Sequence, residues 1–291
     1  MQSRRRAVQV LVFGGLGAAS LGRPAAAQVG EDLTLSPKRL VIAPGARAAT
    51  MFVLNRGAET VTYAIDVVDR VMLPDGRIRE PAEAADKPGG AQALAQLKSA
   101  GKMIVFSPRR VTLRPGESQT VRLRITRPAD LPEGEYRSHL TVTAVPPADA
   151  GLTAEVAVQP RPGQMAIRIR TVFGASIPVI VRHGEPRPAA EIRDVRYLVQ
   201  ASGRPAVALA LARTGASSLY GDLVVRAAGA AAAEPPLAMI RGVGVYAEIG
   251  HRLFELPLSR PLARGEQLEI VFRDEEARNG QVLAALDYTV T

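Results

Sequence analysis

The chain of 291 residues has no cysteine, no tryptophan, three histidines and only 4% aromatic residues. Without cysteine there is no disulfide framework and no CxxC pair, so stability has to come from an ordinary hydrophobic core. The histidines, His139, His183 and His251, stand far apart and match no metal-ligand spacing, and no HExxH is present. His139 lies in a strand pattern beside Leu140 and reads as packed or at an edge. His183 falls at a hinge and His251 at a turn. No GxSxG elbow, phosphate-binding loop or dinucleotide fingerprint occurs either. The sequence therefore predicts a non-enzyme that uses no cofactor and no metal. Nucleic-acid binding would want a basic stripe interleaved with stacking rings, and neither is present.

At the N-terminus the chain reads MQSRRRAVQVLVFGGLGAASLGRPAAAQ, with a basic start, a short apolar run and small residues around Ala25-Ala26-Ala27. That layout predicts a secretory signal peptide over residues 1–27, cleaved near Ala27. The run is too short and Gly-rich to span a bilayer, so no membrane insertion of the mature chain is expected. The Arg4-Arg5-Arg6 run leaves both Sec and twin-arginine export open. Gly14-Gly15-Leu16-Gly17 lies inside this leader and carries no meaning for phosphate. Loss of residues 1–27, with four arginines and no acid, takes the formal net charge from +9 to +5. A periplasmic address follows.

Strand signals fill both halves. Leu33–Ile42, Arg47–Leu54, Thr60–Val68, Met103–Leu113, Gln119–Thr126 and Tyr136–Val145 are rich in Val, Ile, Thr and Tyr. Turns such as Ala43-Pro44-Gly45 and Arg114-Pro115-Gly116 separate them. Pro37 marks an edge or a switch between sheets. Glu80–Gly101 interrupts the series, and its Ala91–Lys98 portion predicts a short helix on a long connection. After the proline-rich stretch behind Arg182 a second series runs from Glu191 to Val290, with Ala227–Pro236 as a low-complexity loop. The expected fold is all-β, with a first sandwich domain over 28–183 and a second over 184–291.

Gln164–Arg182 is too long for an ordinary strand, and its odd positions are almost all apolar. Alternate side chains share a face, so Ile167, Ile169, Phe173, Ile177, Val179 and Val181 draw one stripe along one side. Ile177, Val179 and Val181 read as core. A strand longer than its sheet needs leaves an overhang that another protein can use.

Three segments resemble the PapD-like periplasmic pilus-assembly chaperones, boomerang-shaped proteins of two immunoglobulin-like sandwiches. They are Leu35–Ile42 with its basic residue, Phe106–Leu123 around the Pro115-Gly116 turn, and Gly134–Leu140 running on to Pro146-Pro147. In the second half the likeness is thinner, mainly Asn279–Leu283. The resemblance implies an L-shaped pair of immunoglobulin-like domains and an ATP-independent chaperone of pilus and fimbrium biogenesis. Such a protein caps pilin-like subunits by donor-strand complementation and delivers them to an outer-membrane usher. It implies Ile167, Ile169 and Phe173, and more weakly Thr171, as the donated residues. Arg39 takes the position that anchors the subunit's terminal carboxylate. The family's companion lysine falls on Pro178, which leaves Arg170 or Arg182 as the nearest replacement, or Arg39 alone. Glu135 and Arg182 match two members of an interdomain charge cluster, with Asp274 or Glu276 as the third. The alternative is a protein of the same architecture that serves as an envelope binding or adhesion module without donating a strand.

Overall fold

The computed structural model describes residues 32–146, 173–231, 233–276 and 280–291. Its strands are β1 (Leu33–Ser36), β2 (Leu40–Ile42), β3 (Ala48–Asn55), β4 (Val61–Val68), β5 (Val71–Met72) and β6 (Ile78–Arg79). Two short helices follow, α1 (Pro81–Ala84) and α2 (Gly90–Gln96). Then come β7 (Ile104–Ser107), β8 (Arg110–Leu113), β9 (Ser118–Ile125), β10 (Gly134–Val145) and β11 (Gly174–His183). The second half holds β12 (Ala190–Val199), β13 (Pro205–Arg213), β14 (Leu219–Ala227), β15 (Ala238–Val245), β16 (His251–Pro257), β17 (Gln267–Asp274) and β18 (Val282–Thr289). The fold is all-β, in two sandwiches.

In the first sandwich the sheet β1-β3-β9-β7 packs on the sheet β2-β11-β10-β4-β8. Alternation explains the core: Met51 and Val53 of β3 and Val121 and Leu123 of β9 point inward, against Ile65, Leu140, Val142, Ile177, Val179 and Val181. Asn55, on the same inward row as Met51 and Val53, is fully buried. Its NH2 donates to Glu59 O and Leu113 O, at 2.7 and 3.0 Å, and its Oδ1 accepts from Gly57 N at 3.0 Å, so both ends of the buried amide are paired. Tyr136 opens β10 and its hydroxyl donates to Pro132 O at 2.9 Å. A tyrosine tied to the backbone just upstream is a corner found in immunoglobulin-like sandwiches.

Prolines divide two runs that the sequence alone presents as single strands. At Pro37 the chain leaves β1 in one sheet and enters β2 in the other, the switch that its sequence suggests. Met103–Leu113, expected as one strand, breaks at Ser107-Pro108 into β7 and β8 on opposite sheets. A ring with no N–H interrupts the ladder, and the chain crosses over there.

The second sandwich sets β12-β13-β16 against β15-β14-β17-β18. Its core includes Leu209, Leu211, Leu223, Val225, Ile270 and Phe272. One feature differs from expectation. The connection after β4 is a hairpin, β5–β6, followed by two helices, and Val71, Met72, Leu73, Ala84 and Ala93 join the core of the second sandwich rather than the first. The same cluster takes in Ile180 of β11.

Candidate functional site

Two features lie together around β10 and β11: an open strand edge and a row of buried charges. β11 pairs antiparallel with β10 along its length, from His183 opposite Gly134 to Gly174 opposite Thr143. On its other side it pairs with β2 only at Val179–Val181, in parallel. Among the described residues, Gly174–Pro178 therefore has no strand partner on that side. Such an edge presents backbone groups able to pair with an added strand. Phe173 precedes it, half-buried, with its carbonyl accepting from Ala144 N at 2.9 Å. Ile167, Ile169, Thr171 and Arg170 lie outside the described residues, as does the expected leader. Pro178, where the resemblance expects a lysine, stands opposite His139. One residue on, Val179 pairs with Leu40 as the first pair of the β2–β11 ladder, so Pro178 and Arg39 are the residues that immediately precede it on the two strands.

β10 has two buried faces. Tyr136, Leu140 and Val142 point into the first core, while Glu135, Arg137 and His139 point the other way, 5%, 3% and 3% exposed. Strand alternation puts these three in one row, and the second sandwich with its hairpin covers them.

At one end of the row the guanidinium of Arg182 donates through Nε to Glu135 Oε2 at 3.2 Å and through Nη2 to Glu276 Oε2 at 2.9 Å. The same Glu276 oxygen accepts from Arg39 Nη2 at 3.0 Å. Ser218 N donates to Glu135 Oε2 at 3.3 Å. Glu135, Arg182 and Glu276 thus meet, with Arg39 as a fourth member that the sequence assigned to a different task. Asp274 is buried at the end of β17. Arg39 lies over the ring of Tyr220, 4.4 Å from its centroid, with a side chain only 10% exposed. Among the described residues its Nε and Nη1 are buried without a hydrogen-bond partner. Two cations and two carboxylates balance, which offsets part of the cost of burying them.

Further along, Arg137 pairs with Glu248, donates to Arg70 O at 2.8 Å and stacks on Tyr246 at 4.2 Å. Its Nη1 lies 3.1 Å from Nδ1 and 3.3 Å from Nε2 of His139. A guanidinium can only donate, so one of these imidazole nitrogens accepts and the ring is neutral. Burial, then the charges of Arg137 and Arg70, push His139 down to about 3. Burial also raises the Tyr246 hydroxyl above its ordinary value. The sequence reading missed Arg137, Glu248 and Tyr246. No local signal marked them, because polar residues that alternate with core residues read the same whether their face meets water or a second sandwich.

Among the described residues no group of His, Asp and Glu gathers as metal ligands would, and no helix is long and apolar enough to cross a membrane.

No protein-family model matches the chain, and no curated protein matches its sequence. Solved structures similar to it include chaperones. The E. coli chaperone DraB shares 15% identity over 89% of this chain and 96% of its own, with a TM-score of 0.42. The CupB2 chaperone of Pseudomonas aeruginosa shares 13% over 89% of this chain and all of its own, with a TM-score of 0.43. The CsuC–CsuE chaperone–tip adhesion subunit pre-assembly complex from the Csu pili of Acinetobacter baumannii shows 14% identity. It covers 89% of this chain and 99% of that one, with a TM-score of 0.45.

Proposed function

We propose that this protein is a periplasmic chaperone that caps incomplete β-sandwich subunits of a pilus or fimbria and hands them to an outer-membrane usher. The observation that carries the reading is the β11 edge. Gly174–Pro178 has no outer partner among the described residues, and the sequence continues it upstream with the apolar row Phe173, Ile169 and Ile167. A subunit missing one strand exposes an apolar groove between two unpaired edges. A donated strand supplies backbone hydrogen bonds, and its alternate side chains fill the groove. The three segments that resemble the chaperone family add to this, because they form β1–β2, β7–β9 and β10 of the same sandwich. The energy comes from completing the subunit's fold, without nucleotide.

Anchoring at Arg39 belongs to the proposal in altered form. A partner's carboxylate would compete with Glu276 for Arg39, since a second carboxylate beside it would leave the cluster with excess negative charge. Arg170 remains a candidate second base. The occupied state of Arg39 favours a second reading, an envelope binding module that donates no strand. The two are separated by co-expressing the chain with exported proteins encoded beside it and identifying what co-purifies. Capture of a β-sandwich subunit that lacks its own last strand supports the chaperone. Recovery of the chain alone, with such subunits stable in its absence, supports the binding module. Amidating the C-terminus of a captured subunit's terminal peptide should weaken binding at least tenfold if Arg39 is the anchor. Equal binding of free acid and amide removes that role.

A further inference from the structure

The Arg182 cluster is one connection between the sandwiches, and a second adjoins it across the Tyr246 ring, whose centroid lies 5.9 Å from the Arg39 guanidinium and 4.2 Å from that of Arg137. Glu248, in the turn between β15 and β16, is 2% exposed and pairs with Arg137 of β10. The same Oε1 accepts from Met72 N of the β5–β6 hairpin at 3.0 Å. One carboxylate of the second sandwich thus holds a strand of the first and the hairpin that leaves it. The hairpin grips in return. Pro74 O accepts from Leu253 N of β16 at 2.8 Å. At its tip Gly76 has φ +83°, and a Cβ there would lie 2.1 Å from Arg252 Nε. Only a residue without a side chain lets Arg252 lie across the turn. Val71, Met72 and Leu73 behind it are buried in the second core.

We infer that Arg137 and Glu248, with the segment from Asp69 to Ala100, form a second interdomain lock that holds the two sandwiches as one body. Glu248 and Arg252 are its positioning residues. The reason is energetic. Removing one partner of a buried pair strands the other charge, and here that charge also faces a neutral imidazole and a backbone carbonyl. The lock does not depend on the chaperone reading. Its use, holding the β11 edge at a fixed angle to the second sandwich, rests on that reading.

The chain has no cysteine, so spin labels at Arg56→Cys and Arg264→Cys, on exposed turns of the two sandwiches, report their separation in the full-length protein. One narrow distance distribution is expected. In the labelled protein Glu248→Gln should broaden it, and exchange of the Met72 amide should rise by about 100-fold, the factor that a loss of a few kcal/mol gives. Arg252→Ala, which leaves no buried charge unpaired, should broaden it as well and serves if Glu248→Gln does not fold. A local structural role would lower thermal stability without moving the distance. Distributions identical to the parent's in the folded variants would overturn the lock. Loss of subunit capture with an unchanged distribution would count against the lock and not against the chaperone reading.

Discussion

Glu276 gives one carboxylate oxygen to two guanidiniums, and that sharing sets what each arginine is worth. Arg182→Ala removes the guanidinium that joins Glu135 to Glu276 and leaves two largely buried carboxylates without it, so it should cost about 3–5 kcal/mol, read from urea unfolding. Tyr136→Phe removes one hydroxyl and its bond to Pro132 O, and a cost near 1 kcal/mol is expected in the same assay. His139 gives the chain a pH dependence of known sign. Its folded pKa, about 3, is depressed below the ordinary 6.5. Between those values the unfolded chain takes up a proton that the folded chain refuses. Its contribution is whole above about pH 6.5 and is lost as pH falls, at about 1.4 kcal/mol per unit, until the folded pKa is reached. From pH 7.5 to 5.5 the wild type should therefore lose about 1.4 kcal/mol more than His139→Gln. Equal losses would show that His139 is not held neutral. At this scale the resemblance pointed to Glu135 and Arg182, with Asp274 or Glu276 as alternatives for the third member, and Glu276 is the one that meets Arg182. It was silent on Glu248, whose partner is more than a hundred residues away and has no local pattern around it.

Among the elements, β10 and β11 show why alternation is read easily and its reverse face is not. The apolar rows Leu140 and Val142, and Ile177, Val179 and Val181, fall inward as period two demands. The opposite rows hold Glu135, Arg137 and His139 on β10, and Ile180 and Arg182 on β11, all buried. Nothing local distinguishes a wet face from one covered by a second domain. Prolines mark the other gap: Pro37 was legible as an edge or a change of sheet, while Pro108 was not, because Met103–Leu113 keeps an unbroken strand composition across it. The connection after β4 is legible as an insertion with a helix near α2, but not as a brace. Its apolar residues Val71, Met72 and Leu73 do not say which core they enter. Gly90 closes that brace, since a Cβ there would meet Ala84 O at 1.7 Å. Gly90→Ala should pry α1 from α2 and lower stability by about 1–3 kcal/mol, with faster amide exchange confined at first to residues 71–96.

For the whole molecule, the two sandwiches, the Arg182 cluster and the Arg137–Glu248 pair make a body that carries the open stretch of β11 at Gly174–Pro178. The apolar row of the second cluster runs from the hairpin through Ile180 into the second sandwich, so domain motion would expose apolar surface and separate buried charges together. A rigid frame suits a strand that must be offered to an incomplete partner, because ordering it in advance removes part of the entropy cost of binding. The central proposal is that this strand, with its upstream row, is lent. Ile169 lies in that row and is assigned by the proposal to the partner's groove, so Ile169→Asp should leave the circular dichroism and the melting temperature of the free chain unchanged. Co-expressed with an exported β-sandwich subunit that lacks its final strand, the wild type should co-purify with it in a one-to-one complex. The Ile169→Asp protein should recover less than a tenth as much. Equal recovery of subunit by the two proteins would contradict strand donation.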